Sequence, residues 1–459
     1  MRKIAIIGGG PSAVAVFLQL VKRKAATEIV IFDVNPVGFG LGFSSHSASH
    51  LCNTSACVNS IDVDDEHDFL NYLRSNGWSV NAEAFVPRYV VAQYCRERFL
   101  RYAKCGDEQG VRTTHTPMIV KGVRPHKTIR QLEIRTSEGS HIVDAVVICV
   151  GARGKADVSR MQTDGFSFDP AISTARPYPA EQLLQYARDK QHIAIIGSKL
   201  SAIDAAISLC EAGKNVTMVS RSGHFPSVRT RLAKLPRNPF FRSGEPPRRA
   251  FDFIHEINSV LKANMAKARK ASGHAARSLN FDIFTAESGN NIWQEYVADI
   301  IDSANKYLSE APARTREKIK FRTKHLISRY ISSIPLSNAK KLQQFCEKGT
   351  LRIIVGNAHQ FRRQGEKICF GPMDSPHYCD GLVIADGTIN PAIRREHGEL
   401  RVSFASLPEF HETLSIEELN SAGIWLSGGL SASKFPIVNY LKFSVDNAKS
   451  IVDDLIRKS

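Results

Sequence analysis

The sequence lacks several features that define whole classes of protein. None of the apolar runs in its 459 residues approaches the roughly 20 residues that a helix needs to cross a bilayer. The nine cysteines show no disulfide-framework spacing, and the cysteines and histidines together show no metal-ligand spacing. We therefore expect no membrane span, no metal site and a cytoplasmic location in which the cysteines are reduced.

The first residues do not read as a secretory signal. The N-terminus, MRKIAIIGGGPSA, has two basic residues before a short apolar run, but glycines end that run after four residues. A strand, a tight turn and a helix fit this pattern better than a signal peptide does.

Acidic residues are scarce relative to basic ones. The chain has 45 Asp and Glu against 61 Lys and Arg, a net charge of +16. The stretch from Phe225 to Thr350 holds roughly two dozen basic residues and about half as many acidic ones. Such a surface favours anionic partners. Because no nucleic-acid-binding motif accompanies it, we interpret it as the solvated surface of a helical insert and expect no nucleic-acid partner.

The clearest motif lies at the N-terminus. A short apolar strand, Lys3–Ile7, leads into a G-x-G-x-x-A turn and then into an apolar helix. Gly8 permits the tight turn, Gly10 lets the backbone approach a pyrophosphate, and Ala13 keeps the helix close to the strand. Ser12 stands in the same turn, where the helix N-terminus offers N–H groups to phosphates.

A second strand supports this interpretation. Glu28–Phe32 is apolar and ends at Asp33, about 25 residues after the first glycine, close to the spacing of roughly 20 expected for a ribose-binding acid. The sequence therefore predicts a dinucleotide site. Its position at the N-terminus, together with a second copy further on, favours FAD.

The second copy begins at His192–Ile196. This strand leads into Gly197 and then into a helix that carries Ser201. Lys199 stands where the second glycine of the motif belongs. The lysine either contacts a phosphate itself or weakens binding, and the sequence leaves both alternatives open.

The coenzyme of this second site follows from the end of its second strand. Asn215–Val219 is followed by Ser220 and Arg221, without the acid that would hold a ribose 2′-hydroxyl. A small polar residue and an arginine suit a 2′-phosphate. We therefore predict NADPH rather than NADH.

Three further strands run into glycine turns. Asp144–Val150 precedes Gly151, Asp380–Ala385 precedes Gly387, and Gly423–Ser427 precedes Gly428 and Gly429. The last turn comes before a helix predicted from about residue 439 to 456. We expect these turns to return the chain to the cofactors, although the last is also compatible with a plain strand–helix connection.

With these motifs in place, the chain resembles the FAD/NAD(P)-binding flavoproteins related to amino-acid N-hydroxylases and flavin-containing monooxygenases. The resemblance covers most of the chain and rests on Gly8–Ala13, Asp33, Phe43–Asp62, Asp68–Leu73, Phe85–Tyr89, Gly197–Ala202, Ser220–Pro226 and Trp293. It implies FAD in the first site and NAD(P)H in the second, but no single reaction.

The predicted fold class is α/β, with two Rossmann-like domains. We place the FAD domain at residues 1–170 and 350–459, split around an NADPH domain with the basic helical insert at residues 171–349.

The loop after the first β-α-β unit carries the candidate catalytic residues His46, His50 and Asn53. The resemblance places this loop near the flavin ring, where Asn53 would bond to the flavin or the nicotinamide amide. Either histidine would bind substrate or act as an acid near neutral pH. Histidines at such positions are more often surface or structural residues, and that alternative stays open for both. Arg88 is a candidate for flavin phosphate or an acidic substrate, with a nearby protein carboxylate as the alternative.

A rival interpretation starts from Cys52 and Cys57. Their C-x4-C spacing occurs in flavin disulfide reductases, where the flavin reduces the pair. Those enzymes also have a Gly-Gly-Thr approach to the first cysteine and a His-Pro-Thr sequence near the C-terminus, and this chain has neither. The basic helical insert is also foreign to them.

The leading functional hypothesis is a monooxygenase that uses NADPH and O₂ to oxidise a small molecule through a C4a-peroxyflavin. The alternatives are a flavin reductase or dehydrogenase without oxygen insertion, and a nucleotide-sensing or carrier-binding protein that uses the basic insert. The sequence leaves the oligomeric state open, a homo-oligomer included.

Overall fold

The computed structural model describes most of the chain. The described residues are 2–126, 131–151, 153–154, 167–169, 171–232, 252, 255, 259, 275–355, 360–371, 374–389, 391–403, 415–435, 437–438 and 440–458. Much of the basic insert, from residue 233 to 274, and the predicted boundary at residue 170 therefore lie outside the described ranges.

The strands are short and many of them are apolar. In chain order they are β1 (Lys3–Ile7), β2 (Glu28–Phe32), β3 (Arg112–Thr116), β4 (Val120–Pro125), β5 (Leu132–Thr136), β6 (Ser140–Val143), β7 (Ala145–Ile148), β8 (Arg153–Gly154), β9 (Ser167–Phe168), β10 (Thr174–Ala175), β11 (His192–Ile196), β12 (Asn215–Ser220), β13 (Val228–Arg229), β14 (Ile334–Pro335), β15 (Leu351–Val355), β16 (Gln360–Gln364), β17 (Lys367–Phe370), β18 (His377–Cys379), β19 (Gly381–Ile384), β20 (Thr388–Ile389), β21 (Ala392–Glu396), β22 (Glu399–Ser403) and β23 (Ile424–Leu426).

The helices follow the predicted motifs and form much of the described part of the insert. They are α1 (Pro11–Lys22), α2 (Asp68–Ser75), α3 (Arg88–Glu108), α4 (Ala180–Tyr186), α5 (Leu200–Glu211), α6 (Ala275–Glu287), α7 (Val297–Glu310), α8 (Ala313–Leu326), α9 (Leu336–Glu347), α10 (Ile416–Ser421) and α11 (Leu441–Arg457). A π-helical turn covers Ile327–Ile331, and a 3₁₀ turn covers Gly428–Ser433. Within the described residues, no helix is both long and apolar enough to span a membrane.

The first sheet is parallel, with the strand order β23-β7-β1-β2-β3. Alternate residues of β1 point to opposite faces. Ile4 and Ile6 pack with helices α1, α3 and α11, whereas Ala5 and Ile7 pack with the antiparallel sheet that contains β4, β5 and β6. Both faces are thus buried, which explains why the strand is apolar throughout.

The second sheet repeats this design, with the parallel order β10-β19-β11-β12-β15. Ile193 and Ile195 pack with α5 and α9 on one face. Ala194 and Ile196 pack on the other face with the antiparallel strands β16, β17 and β18. Two parallel sheets with covered faces confirm the predicted fold class. The predicted domain limits stay a prediction.

The two halves are joined by a short antiparallel pair. β8 pairs with β20, so that the chain leaving the first sheet lies beside the chain returning from the second. β23 and α11 then complete the first sheet from the far end of the sequence. The C-terminal helix begins at Leu441, and residue 439, its predicted start, lies outside the described residues.

The described part of the insert forms an apolar cluster of its own. Trp293, Ile301 and Tyr330 pack there with Tyr440 and Phe443 from the C-terminal segment. Asn305 fixes the contact, because its side-chain amide donates to the Ile437 carbonyl and its oxygen accepts from the Ile437 N–H. The insert is therefore packed against the segment that completes the first sheet.

Candidate functional site

The first glycine turn is determined by steric contact. Gly8 has a φ of +101°, and a Cβ added there would lie 2.8 Å from the carbonyl oxygen of Cys149. An L-residue with a side chain fails at Gly8 on both counts. The next N–H, from Gly9, donates to Asp33 Oδ2 at 2.6 Å, which holds the end of β2 against the turn.

Gly10 is different, because its backbone is extended and open to any residue. Among the described residues, a Cβ built there would meet only backbone atoms of Gly40, the nearer at 3.5 Å. The space in front of Gly10 therefore remains free, at the N-terminus of α1 and at the carboxyl edge of a parallel sheet. This geometry fits a dinucleotide pyrophosphate.

The C-terminal segment lies beside this turn. Ser427 N–H donates to the Ile148 carbonyl at 2.9 Å, and a Cβ added at Gly428 would lie 3.1 Å from the hydroxyl of Ser12. Ser12 donates in turn to Ser444 on α11 at 2.9 Å. Ala13 is buried behind them, and Gly429 is the second residue of the 3₁₀ turn.

The other two glycine turns lie at the linker between the halves. Gly151 is exposed and precedes β8, and Gly387 has a φ of +124° and precedes β20. Among the residues that the structure describes, nothing lies within 4 Å of a Cβ at either position. Gly8, Gly10, Ser12, Asp33 and Gly428 thus converge at the first sheet, whereas Gly151 and Gly387 border the linker. Their roles as cofactor contacts stay predictions.

The second glycine turn has the same geometry as the first. Gly197 has a φ of +121°, and a Cβ there would lie 2.3 Å from the carbonyl oxygen of Ala385. Lys199, like Gly10, is the residue before a helix and has an extended backbone, with φ −103° and ψ −174°. The lysine therefore leaves the turn intact and changes only what occupies the space before α5.

Lys199 lies near the guanidinium of Arg329 and beside His224. Its ammonium lies 3.5 Å from the carbonyl oxygen of His224, and burial together with Arg329 lowers the pKa of Lys199 to about 8. Burial, Arg329 and Lys199 also lower the pKa of His224. Arg329, on the π-helical turn, donates to Asp282 of α6 at 3.1 Å. Sequence reasoning missed this cluster, because Arg329 is 130 residues from the turn that it faces.

Ser220 and Arg221 occupy the predicted place at the end of β12. The Ser220 hydroxyl lies 2.8 Å from that of Ser198, which donates to the His224 carbonyl. Arg221 is exposed and forms no ion pair with the described residues. Ser201 lies half-buried in the first turn of α5.

The candidate catalytic loop contacts the second half of the protein. His50 is buried, its Nε2 lies 2.9 Å from the Ser208 hydroxyl of α5, and burial lowers its pKa. His46 is exposed, and its backbone N–H donates to Glu181 at 2.9 Å. The structure thus places both histidines at the junction of the halves.

Arg88 pairs with a protein carboxylate, the alternative considered from the sequence. It forms an ion pair with the buried Asp204 of α5, and it donates to Tyr178 at 3.1 Å and to the Leu51 carbonyl at 3.0 Å. These contacts occupy the guanidinium and join the two halves. An acid among the apolar residues SAIDAAIS of α5 was the available sequence signal.

The backbone carbonyl of Asn53 is held by an arginine of β13. Arg229 is fully buried and donates to the carbonyls of Asn53, Tyr330 and Ile331 at 3.1, 2.6 and 2.7 Å. Burial lowers its pKa to about 9. The side-chain amide of Asn53 makes no hydrogen bond to the described residues, so it remains available to a ligand.

The cysteine pair has an environment that disfavours thiolates. Burial raises the pKa of Cys52 to about 12 and also raises the pKa of Cys57. Both thiols are free. A dithiol that exchanges electrons needs an accessible thiolate, which these surroundings oppose.

Comparison with known proteins shows which family model and which structures this chain is similar to. Residues 5–153 match the model of the FAD-NAD(P)-binding family. The uncharacterized protein YdhS of Escherichia coli strain K12 is 23% identical over 401 residues, which cover 78% of this chain and 72% of YdhS.

Two solved structures share the fold over nearly the whole of both chains. The ornithine N-hydroxylase of Kutzneria sp. 744, in a structure with reduced FAD, NADP⁺ and L-ornithine, has a TM-score of 0.58 at 13% identity, covering 100% of this chain and 99% of its own. The bacillithiol disulfide reductase of Staphylococcus aureus has a TM-score of 0.52 at 14% identity, covering 100% of each chain.

Residues 5–153 therefore form an FAD/NAD(P)-binding domain, and the likeness to the two solved structures shows the fold of the chain. The resemblance and the cofactor class expected from the sequence are confirmed.

The junction gives a test of stability. Arg88→Ala would leave Asp204 buried without its cation, and we expect a loss of about 3–5 kcal/mol. The measurement is the urea midpoint followed by tryptophan fluorescence. Lys340→Ala removes an ion pair whose side chains are 47% and 45% exposed, so it should leave the midpoint nearly unchanged. An Arg88→Ala midpoint equal to that of the control would contradict the role of the pair.

Proposed function

We propose that this flavoprotein is an NADPH-dependent monooxygenase acting on a small molecule with a nucleophilic nitrogen, sulfur or carbon. The observation that carries the proposal is the pair of glycine turns on linked parallel sheets, one for each cofactor, together with the unreactive environment of Cys52 and Cys57. Bound FAD would take a hydride from NADPH and pass electrons to O₂, one oxygen atom entering the substrate and the other leaving as water.

The first turn would hold FAD. Gly10 leaves room for the pyrophosphate, and the backbone N–H of Ser12, at the N-terminus of α1, would donate to a phosphate oxygen. Asp33 already accepts from Gly9, and its carboxylate would also accept from a ribose hydroxyl. Gly428 lets the C-terminal segment lie against Ser12, because a side chain at Gly428 would lie too close to the Ser12 hydroxyl. The segment would thereby come close to the same cofactor.

Asn53 is the proposed contact to the flavin ring or the nicotinamide amide. Its backbone carbonyl accepts from Arg229, so the part of the loop from which the side-chain amide extends is anchored. The apolar cluster of Trp293, Tyr330 and Tyr440 packs around this anchor and would exclude water from the reacting atoms. His50 would act as a positioning residue for this loop through Ser208.

Oxygen insertion is separated from simple reduction by following the oxygen. We expect NADPH to reduce the flavin without air, and ¹⁸O₂ then to label the product formed from a primary amine such as L-ornithine or L-lysine. Thiols and ketones complete the substrate panel. If hydrogen peroxide accounts for all the NADPH consumed with every compound, the reductase alternative replaces the monooxygenase.

The first turn has a matched pair of variants. Gly10→Ala fits within the protein but fills the space before α1, so we expect it to fold and to lose FAD affinity at least about tenfold, or 1.4 kcal/mol. Gly8→Ala should instead impair folding. Bound FAD is measured by absorbance after gel filtration, and folding by circular dichroism. A Gly10→Ala protein that binds FAD as tightly as the original would remove the FAD assignment.

The second site predicts coenzyme choice. Arg221→Ala should remove charge-assisted bonds to the 2′-phosphate, which are worth about 1.5–3 kcal/mol, and so raise the KM for NADPH roughly 10- to 150-fold. The KM for NADH should change little, because NADH has no such phosphate. Steady-state flavin reduction gives both constants. Equal changes for the two coenzymes would overturn the preference for NADPH.

A further inference from the structure

We propose that Lys199, His224 and Arg329 form an anion site that holds the pyrophosphate of the nicotinamide coenzyme, replacing the close backbone contact that the missing glycine would give. This inference rests on the proposed second dinucleotide site. It adds residues that the glycine motif does not contain.

The turn before α5 is intact. Gly197 keeps the positive φ and the close contact with Ala385, and Lys199 has the extended backbone that Gly10 also has. The lysine therefore costs the protein no strain. At the first turn, the proposed pyrophosphate would approach the space in front of Gly10. Lys199 has the equivalent position at the second turn, so a phosphate bound there would contact the Lys199 side chain.

Two cationic groups meet here, Lys199 on the turn and Arg329 on the π-helical turn. His224, on the loop after β12, lies beside them, and its lowered pKa leaves a neutral imidazole at pH 7 that can donate one hydrogen bond. Among the described residues that interact with these three side chains, the one carboxylate is Asp282, which pairs with Arg329. The Lys199 ammonium has one long contact, 3.5 Å to the His224 carbonyl. Its remaining N–H bonds can donate to an anion, and a phosphate would relieve the repulsion between the cations.

NADPH carries phosphate at two positions, and different residues would bind each of them. Lys199 stands directly before α5, and a helix N-terminus after the first strand of a β-α-β unit is where a pyrophosphate binds. The 2′-phosphate belongs at the end of β12, where Arg221 lies. Because both NADPH and NADH contain a pyrophosphate, Lys199 should serve either coenzyme, whereas Arg221 should serve only one.

The site should also respond to pH. With a pKa of about 8, Lys199 is charged in most molecules below pH 8 and loses its charge above it. Arg329 and His224 face it, and Asp282 lies behind Arg329. A bound anion favours the charged form, so the affinity should fall gradually as the pH rises above 8.

The test is equilibrium binding to the FAD-loaded protein at pH 7. Lys199→Ala should weaken NADP⁺ and NAD⁺ by the same factor, about 10- to 150-fold, and leave 2′-AMP unchanged. Arg221→Ala should weaken NADP⁺ and 2′-AMP but not NAD⁺. Lys367→Ala, which removes an exposed lysine of β17, controls for net charge. The FAD content of each protein reports its folding.

A second variant follows the charge itself. Lys199→Arg should retain binding at pH 7 and lose the decline above pH 8, a change that a purely structural lysine would not produce. Loss of NADP⁺ affinity alone in Lys199→Ala would assign Lys199 to the 2′-phosphate, and no loss would make it a structural residue. Either result overturns the inference while FAD binding and NADP⁺ binding by the original protein stand. If the original protein bound neither coenzyme, that result would instead overturn the proposed second site.

Discussion

Both parallel sheets depend on a steric constraint at their first turns. The carbonyl of the neighbouring strand, Cys149 in one case and Ala385 in the other, occupies the space where a side chain at Gly8 or Gly197 would stand. The chain can therefore turn directly from strand to helix only with glycine at that position. This contact brings each helix N-terminus over the edge of its sheet, and every proposed cofactor contact follows from that placement.

A second constraint relates the two sites to each other. The loop that carries His50 and Asn53 starts from the first sheet, but it is held by Ser208 of α5, the helix that packs on the second sheet, and by Arg229 beside the insert. The buried ion pair of Arg88 and Asp204 fixes the same region. Since removal of one buried partner is far more costly than loss of a surface pair, the network strongly favours this arrangement of the halves.

Local patterns made the turns predictable, because the strand, the glycines and the helix of each unit are adjacent in the sequence. Gly8, Gly197 and Asp33 have the geometry that their motifs imply. The contacts of Arg88 with Asp204 and of Lys199 with Arg329 join residues 116 and 130 positions apart, so no local pattern pairs them. Asp204 is conspicuous as an acid in an apolar helix, but the sequence does not say which cation it binds. The loop histidines show the same limit. Their residue type permits catalysis, and only tertiary contacts place them at the junction.

The two turns have one backbone geometry and different chemistry. In the first, the extended residue before the helix is a glycine with open space beside it, so the cofactor can approach the main chain closely and contact many N–H groups. In the second, the equivalent residue is a half-buried lysine near a second cation, Arg329. A contact through an ammonium is longer, depends on protonation and leaves the main chain less covered than a close approach does. Such a site suits a coenzyme that binds and leaves in every cycle, whereas the first suits a flavin that stays.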